Sequence, residues 1–206
     1  MLKESTVIRN LVFDMGNVLI HWTADGIMDG MGVRDESDRN ILLAEMFRSP
    51  EWTLLDWGRI TEDEAEKVFQ SRIPSRLWTY IHHAIYWEDM LTPVEGMADY
   101  IRAKKKEGYS IYLLSNAPQR CEEIFPSIPG SECFDGIVYS GSVKMIKPHR
   151  DIFLYLLGFF SLRAEECLFI DDLEANVKTA LECGMHGLVF RGKPEEIEKV
   201  LLSLQA

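Results

Sequence analysis

The stretch VIRNLVF, residues 7–13, is followed at once by Asp14 and by a Gly-Asn turn at residues 16 and 17. Apolar side chains fill most of this stretch, and valine, isoleucine and phenylalanine favour strands. A run without polar alternation is typical of a strand that is buried on both faces of a parallel sheet. We therefore predict a buried strand here, with Asp14 at its carboxyl end.

From residue 91 onward, strand patterns alternate with helix patterns. We predict strands over 109–116, 136–140, 166–172 and 186–190, and helices over 93–108, 117–125, 149–160, 173–184 and 194–204. Gly108 and Gly184 follow two of these helices, as helix-ending glycines often do. Such alternation indicates an α/β fold with a Rossmann-like, doubly wound parallel sheet, to which we assign residues 1–20 and 91–206.

Between these two parts of the core, the pattern is helical. Apolar residues recur at helical spacing over 36–48 and 75–90, and TEDEAEKVF (61–69) opens with a capping box formed by Thr61 and Glu64. No strand pattern interrupts this region. We therefore predict a helical cap over residues 21–90, inserted after the first strand.

A chain of 206 residues with 47% hydrophobic and 27% charged residues has an ordinary globular composition. Its formal net charge of −11 argues against nucleic acid or an anionic membrane surface as a partner. No apolar run reaches the roughly 20 residues of a membrane span, and the N-terminal residues lack the apolar stretch of a signal peptide. The four cysteines have no metal-binding spacing. We expect a cytoplasmic protein with reduced thiols, and a monomer by default.

Polar residues fall at the carboxyl ends of the predicted strands, where sheets of this kind bind their ligands. They comprise one acidic residue, a hydroxyl–amide pair, a lysine and an acidic pair, namely Asp14, Ser115, Asn116, Lys147, Asp171 and Asp172. Each of these residue types is common by itself. Their equivalent places on successive strands predict that they share one site.

This combination of residues suits phosphoryl transfer. A carboxylate such as that of Asp14 can attack phosphorus and carry the phosphoryl group as an acyl phosphate. The attack brings two anions together, so we expect a divalent cation between them, and Mg²⁺ prefers the hard oxygens that Asp14 and Asp172 supply. Ser115 and Asn116, at a predicted helix start, can donate hydrogen bonds to phosphate oxygens. Lys147 adds positive charge against the nucleophile and the transferring group.

The motifs that contain these residues resemble the four ordered motifs of the haloacid dehalogenase superfamily: FDMGNVLI (13–20), LLSNAP (113–118), IKPHRDIF (146–153) and FIDDLEANV (169–177). The first motif is similar to that of small sugar-phosphate phosphatases with a helical cap, such as bacterial α-D-glucose-1-phosphatase. The resemblance implies Asp14 as nucleophile, Ser115 and Lys147 as phosphate binders, and Asp171 with Asp172 as the acids that hold Mg²⁺. Asp172 is favoured as the direct ligand, and Asp171 as a direct or supporting one. We expect a magnesium-dependent phosphatase for a small phosphorylated metabolite, for example a sugar phosphate.

The chain departs from most phosphatases of this superfamily two residues after Asp14. They carry a second Asp there, which protonates the leaving alcohol and later activates water, whereas this chain has Gly16. The Gly16 carbonyl can still bind Mg²⁺, but a glycine cannot act as an acid or base, a contribution of about 10²–10⁴-fold. We therefore predict slow turnover of simple alkyl phosphates. Anomeric sugar phosphates, acyl phosphates and aryl phosphates leave more easily and should suffer less.

Two other functions stay open at this point. A metal-independent 2-haloacid dehalogenase uses the same nucleophile, although the pair Asp171 and Asp172 favours the metal-dependent branch. A chain without the second Asp could instead bind a phosphorylated ligand and serve regulation, with little catalysis. Three neighbouring residues are also open. Asn176 either orients the acidic pair or merely faces a helix start, Lys144 has no assigned role, and for His21 a structural role is favoured over that of the missing acid.

Overall fold

The structure is a computed structural model that describes residues 7–86 and 92–205. The first part of the chain contains β1 (Asn10–Phe13), β2 (Ile20–His21), α1 (Ala24–Gly30), α2 (Glu36–Leu42), α3 (Pro50–Asp56), α4 (Glu62–Arg72) and α5 (Trp78–Tyr86). The second part contains β3 (Thr92–Pro93), α6 (Met97–Lys106), β4 (Ser110–Ser115), α7 (Cys121–Ile124), β5 (Gly136–Tyr139), α8 (Ser140–Val143), α9 (Arg150–Phe159), β6 (Cys167–Asp171), α10 (Glu174–Glu182), β7 (His186–Val189) and α11 (Glu195–Gln205). Within these described residues, no helix is long and apolar enough to cross a lipid bilayer.

Five parallel strands form the central sheet, in the order β5-β4-β1-β6-β7. β1 pairs with β4 on one side and with β6 on the other, so that Phe13 lies opposite both Leu113 and Ile170. The chain leaves β1 toward β4 and β5 and later returns to the other side through β6 and β7. The strand order therefore reverses around β1, and this is where a sheet of this type opens a binding crevice. The predicted Rossmann-like α/β fold is confirmed.

Hydrophobic clusters cover both faces of the sheet. Leu11 and Phe13 of β1 belong to one cluster, and Val12 belongs to the other, because successive side chains of a strand point to opposite faces. All four residues of β1 are buried. The continuous apolar run at the start of the chain thus reflects a strand with no solvent-facing side.

The helices α1 to α5 surround a third hydrophobic cluster, which includes Met28, Trp52 and Phe69. Helix α4 begins with the predicted capping box, in which the side chains of Thr61 and Glu64 bond reciprocally to the backbone. β2 and β3 pair antiparallel where the chain enters and leaves this helical region. The division into 1–20 with 91–206 and 21–90 stays a prediction. Its second boundary, like the end of the helix predicted over 75–90, falls among residues 87–91, outside the described residues.

Some predicted elements need correction. Helices α1 and α3 lie where no helix is predicted, because α1 contains two glycines and α3 has seven residues, too few for a clear period. The helix predicted over 117–125 begins only at Cys121. The preceding loop is held by Ala117, whose N–H donates to Ser140 Oγ at 2.9 Å and whose carbonyl accepts from the Gly141 N–H at 3.0 Å. Ser115 therefore does not stand at a helix start, and no helix terminus contributes there to anion binding.

Candidate active site

Asp14, Lys147 and Asp171 form a buried network of opposite charges at the carboxyl end of the sheet. The Lys147 ammonium lies 2.8 Å from Asp14 Oδ1 and 2.7 Å from Asp171 Oδ2. It also donates to the Leu114 carbonyl at 2.9 Å. An ammonium group has three donors, so every donor of this lysine has a partner. The network fixes the Asp14 carboxylate at the end of β1.

The Asp171 carboxylate is saturated with hydrogen bonds. Its Oδ1 accepts from the Leu173 backbone N–H at 2.8 Å and from the Asn176 amide at 3.0 Å. Its Oδ2 accepts from Lys147 and again from Asn176, at 3.0 Å. The side chain is fully buried. These contacts favour Asp171 as a support for Lys147 rather than as a direct metal ligand, and they give Asn176 an orienting role.

Asp172 is partly buried and is positioned by a residue that sequence reasoning missed. Its Oδ2 accepts from the Asn17 amide at 3.0 Å, and Asn17 Oδ1 accepts from the Trp22 backbone N–H at 3.1 Å. Asn17 adopts a left-handed conformation with φ of 55°, which asparagine tolerates better than most residues. The Gly-Asn turn at residues 16 and 17, which begins two residues after Asp14, is the sequence signal that could have identified this contact.

The acidic residues can hold a divalent cation. One carboxylate oxygen from each of Asp14, Asp171 and Asp172 lies within 4.8 Å of the others. Only one lysine contacts this group among the described residues, so two negative charges are in surplus when all three acids are ionised. Clustered hard oxygens with surplus negative charge are the donors that Mg²⁺ prefers. The residues present therefore fit a magnesium site, with Asp14 and Asp172 at the cavity surface and the Gly16 main chain beside them.

Burial is the largest single influence on the pKa of each of these groups. It raises the pKa of Asp14 to about 7, although the Lys147 ammonium acts to lower it. Burial also raises the pKa of Asp172, against the opposing hydrogen bond from Asn17. For Lys147, burial acts to lower the pKa, but the carboxylates of Asp14 and Asp171 outweigh it and raise the pKa. The lysine stays charged, and the acids become easier to ionise when a cation binds them.

These groups open into a cavity of about 270 Å³ between the sheet edge and the helical region. We call the lining residues from the core the floor. Those of its residues that are polar, or that were predicted as site residues, are Asp14, Gly16, Asn17, Ser115, Asn116, Lys147, Asp172 and Asn176. We call the lining residues from 21–90 the roof, and those described are Trp22, Trp52, Leu55, Asp56 and Ile85. The floor is thus mainly polar, whereas the described roof is apolar except for one carboxyl group.

The structure brings the predicted site residues together at this cavity or directly beneath it. Ser115 ends β4 and lines the floor, where it is 2% exposed. The Asn116 carboxamide pairs with the Lys147 backbone, donating to its carbonyl and accepting from its N–H, both at 2.9 Å. This side chain therefore positions the lysine, and the phosphate contact predicted for Asn116 stays a prediction.

Two of the residues whose roles were left open, Lys144 and His21, are not among the described residues that line the cavity. The Lys144 ammonium donates to the Gly58 carbonyl at 2.6 Å and so joins the core to the helical region. His21 is exposed and is not among the described residues that line the cavity. Asp56 is an ionisable residue of the cavity that sequence reasoning missed. No motif marks it, because only the folded arrangement brings the end of α3 over the sheet.

The fold and the site together define a hydrolase of the haloacid dehalogenase type. The sequence model of the haloacid dehalogenase-like hydrolase family matches residues 8–184, and the chain belongs to this family. The sesquiterpene phosphatase astK of Aspergillus oryzae is 26% identical over 185 residues, which cover 89% of this chain and 90% of that protein. The D-ribitol-5-phosphate phosphatase of Bacteroides thetaiotaomicron is 25% identical over 186 residues, covering 86% of this chain and 89% of the relative.

The chain also resembles part of a longer protein and a solved structure. The drimenol cyclase drtB of Aspergillus calidoustus is 26% identical over 202 residues, which cover 96% of this chain but 37% of that much longer protein. Among solved structures, a haloacid dehalogenase family enzyme of Bacteroides thetaiotaomicron, in complex with magnesium and inorganic phosphate, is 25% identical. The match covers 90% of this chain and 95% of that chain, with a TM-score of 0.65. The chain therefore shares its fold with an enzyme that binds both ions.

Proposed function

We propose that this protein is a magnesium-dependent phosphomonoester hydrolase that works through an aspartyl-phosphate on Asp14. One observation carries the proposal: the Asp14 carboxylate, tied to Lys147 at 2.8 Å, shares a cavity with Asp172 and Ser115. A nucleophilic carboxylate, a fixed cation and oxygen donors for a metal are what phosphoryl transfer to a carboxylate requires. The phosphatase relatives support the same chemistry.

Six residues of the floor have a direct part in the reaction. Asp14 Oδ attacks phosphorus, and the bond from phosphorus to the leaving oxygen breaks. Lys147 keeps the nucleophile oriented and offsets the charge of the transferring group. The Ser115 hydroxyl and the main chain of Asn116 donate to phosphate oxygens. Asp14, Asp172 and the Gly16 carbonyl would hold Mg²⁺, which would supply the positive charge that an anionic nucleophile needs to approach an anionic substrate.

The substrate is a small phosphorylated metabolite. The floor residues bind the phosphate group of the substrate, so the roof residues contact its organic group. Trp22, Trp52, Leu55 and Ile85 present aromatic and aliphatic surface there. Aromatic faces bind both apolar groups and the apolar faces of sugar rings. A substrate panel should therefore include sugar phosphates, sugar-alcohol phosphates and phosphates of apolar alcohols.

The test is phosphate release from this panel and from p-nitrophenyl phosphate, with Mg²⁺ and with excess EDTA. Asp14→Asn removes the nucleophile with almost no change in shape, so we expect turnover to fall by at least about 10³-fold. Asp63→Asn, an exposed carboxyl of the same chain, is the matched control and should retain wild-type activity. Release that persists in Asp14→Asn, or that ignores EDTA, overturns the proposal.

Two outcomes would favour the alternative functions. Binding of phosphate esters without turnover of p-nitrophenyl phosphate would favour a regulatory, ligand-binding protein. Halide release from 2-haloacids in the presence of EDTA would favour a dehalogenase. The position of Asp172 at the cavity surface, next to Asp14, argues for the metal-dependent phosphatase instead.

A further inference from the structure

The proposed reaction needs a proton donor that the floor does not provide. An alkoxide leaves poorly unless its oxygen is protonated during the attack, and the aspartyl-phosphate then needs a base to activate water. Gly16 supplies no side chain, and a Cβ built there would lie in van der Waals contact with Trp22 Cβ, at 3.7 Å. The acid and base must therefore come from another part of the cavity.

Four ionisable residues line the cavity within the described part of the chain. Asp14 and Lys147 are paired with each other, and Asp172 belongs to the acidic cluster that fits the metal. The fourth is Asp56, the last residue of α3. Among the described residues, no hydrogen-bond donor or cation contacts its carboxyl group. Among the described residues, it is the one carboxyl group of the cavity lining that takes part in neither the ion pair nor the acidic cluster.

The position of Asp56 suits the leaving group. In-line transfer places the attacking and leaving oxygens on opposite sides of phosphorus. Because Asp14 attacks from the floor, the leaving oxygen faces the roof, where Asp56 is the only ionisable side chain described. Burial without a compensating partner raises the pKa of Asp56 well above its ordinary value, so the carboxyl is protonated over a wider pH range than an exposed one.

A set of contacts between residues 56–59 and residues 140–144, which we call the latch, holds Asp56 over the sheet. Ser140 Oγ donates to the Asp56 carbonyl at 2.5 Å and accepts from the Ala117 N–H, two residues beyond Ser115. The Lys144 ammonium donates to the Gly58 carbonyl, and the Lys144 carbonyl accepts from Trp57 Nε1 at 2.9 Å. The latch thus ties the end of α3 to the loop that follows Ser115, the residue proposed to bind phosphate.

We propose that Asp56 is the general acid and general base of this hydrolase, supplied from the roof in place of the side chain that Gly16 lacks. The proposal rests on the aspartyl-phosphate function proposed above. In the first step Asp14 bonds to phosphorus, the bond to the leaving oxygen breaks, and the Asp56 proton moves to that oxygen. In the second step a water molecule attacks phosphorus through its oxygen, and the Asp56 carboxylate takes a proton from that water. The bond to Asp14 then breaks, inorganic phosphate leaves, and Asp56 is protonated again.

The test compares two substrates whose leaving groups differ in their need for a proton, hexyl phosphate and p-nitrophenyl phosphate. In Asp56→Asn, kcat/KM for hexyl phosphate should fall by about 10²–10⁴-fold. For p-nitrophenyl phosphate, kcat/KM should change by less than about tenfold, because the nitrophenolate ion leaves without protonation. Its steady-state kcat should nevertheless fall, since hydrolysis of the aspartyl-phosphate loses its base. A burst of one nitrophenolate per active site should therefore precede the steady state.

Controls separate this role from a structural one. Asp63→Asn should behave as wild type with both substrates, and Asp56→Ser should repeat the selective loss and the burst if Asp56→Asn folds poorly. Equal losses of kcat/KM for both substrates without a burst, or no loss at all, would overturn the role of Asp56 and leave the phosphatase function intact. Failure of the wild-type protein to hydrolyse either substrate with Mg²⁺ would overturn both proposals.

Discussion

In the floor of the cavity, the Lys147 ammonium donates to three oxygens, and directly beneath the floor the Asp171 carboxylate accepts four hydrogen bonds. In the roof, by contrast, the Asp56 carboxyl has no hydrogen-bond or ion-pair partner among the described residues, and the other described residues of the roof are apolar. A network of charged groups in which every hydrogen bond is made is rigid. A buried carboxyl group without partners has a raised pKa and therefore holds a proton at higher pH than an exposed one. The floor is therefore suited to holding the phosphate, and the roof to acting on the leaving group.

This contrast predicts different consequences of substitution. Residues of the floor depend on one another, because removing one leaves its partners buried and unpaired. Residues of the roof line the cavity and make fewer polar contacts within the protein. Changes in the floor should thus reduce stability and activity together, whereas changes in the roof should alter activity or selectivity first.

The largest effect is expected for Lys147→Met. The substitution leaves the Asp14 and Asp171 carboxylates buried without their counter-charge, which typically costs about 3–5 kcal/mol of unfolding free energy. Turnover should be lost as well. Urea denaturation at neutral pH measures the first effect, and phosphate release measures the second.

Lys105→Met is the matched control, since its ion pair with Asp135 is about one-third exposed on both sides. Pairs of this kind contribute about 0–1 kcal/mol, so the control should stay close to the wild type in stability and activity. A Lys147→Met protein as stable as Lys105→Met would show that the floor is not the interdependent network described here.

The floor could be predicted from sequence because it follows from topology. Once strands alternate with helices, the residues after Phe13, Leu114 and Ile170 must meet at one edge of the sheet. Asp14, Ser115 and Asp171 are therefore recognisable by position alone, without knowledge of any side-chain contact. Lys147 follows from the same reasoning, because it lies on the segment that leaves the next strand.

The roof could not be predicted in this way. Asp56 ends a seven-residue helix with no motif, and its place above the sheet depends on the latch, whose contacts join residues more than 80 positions apart. The carboxamide contacts of Asn17 and Asn116 were missed for a related reason. Such contacts depend on side-chain directions that only the assembled fold determines, and an asparagine in a turn has several other common roles.

A smaller effect is expected at the latch, for Gly58→Ala. Gly58 has φ of 67°, and a Cβ there would lie 2.4 Å from the Gly141 carbonyl oxygen and 2.6 Å from Lys144 Nζ. The substitution must therefore push the end of α3 away from the core. We expect a loss of about 1–3 kcal/mol from backbone strain, together with a several-fold lower kcat for hexyl phosphate because Asp56 is displaced.

Gly32→Ala separates strain from displacement. Gly32 has a similar φ of 74°, but nothing lies within 4 Å of a Cβ built there. This control should lose only the stability that backbone strain accounts for, and it should keep the wild-type kcat. If both variants lose activity equally, or if neither does, the latch does not position the roof over the floor.

The smallest expected effect concerns Mg²⁺ binding as a function of pH. In the folded protein without metal, burial raises the pKa of Asp14 from 3.8 to about 7. The folded state therefore binds more protons than the unfolded chain between these values, and its stability falls as the pH rises through that range. Mg²⁺ needs the ionised carboxylate, so binding releases the proton and becomes tighter at higher pH. Between pH 6 and pH 8, the apparent affinity for Mg²⁺ should rise about tenfold, or about 1.4 kcal/mol.

Thermal unfolding with and without Mg²⁺ at constant ionic strength measures this linkage. At a fixed Mg²⁺ concentration well above the Kd at both pH values, the increase in Tm should be larger at pH 8 than at pH 6, by about 3–6 °C for a chain of this size. Asp14→Asn should bind Mg²⁺ more weakly and lose most of the pH dependence, although the raised pKa of Asp172 leaves a remainder of the same sign. An equal or larger Mg²⁺ effect at pH 6 would mean that Asp14 is already ionised without metal. In that case the Lys147 ammonium would outweigh burial in the floor, and the contrast with the unpartnered carboxyl of the roof would be sharper still.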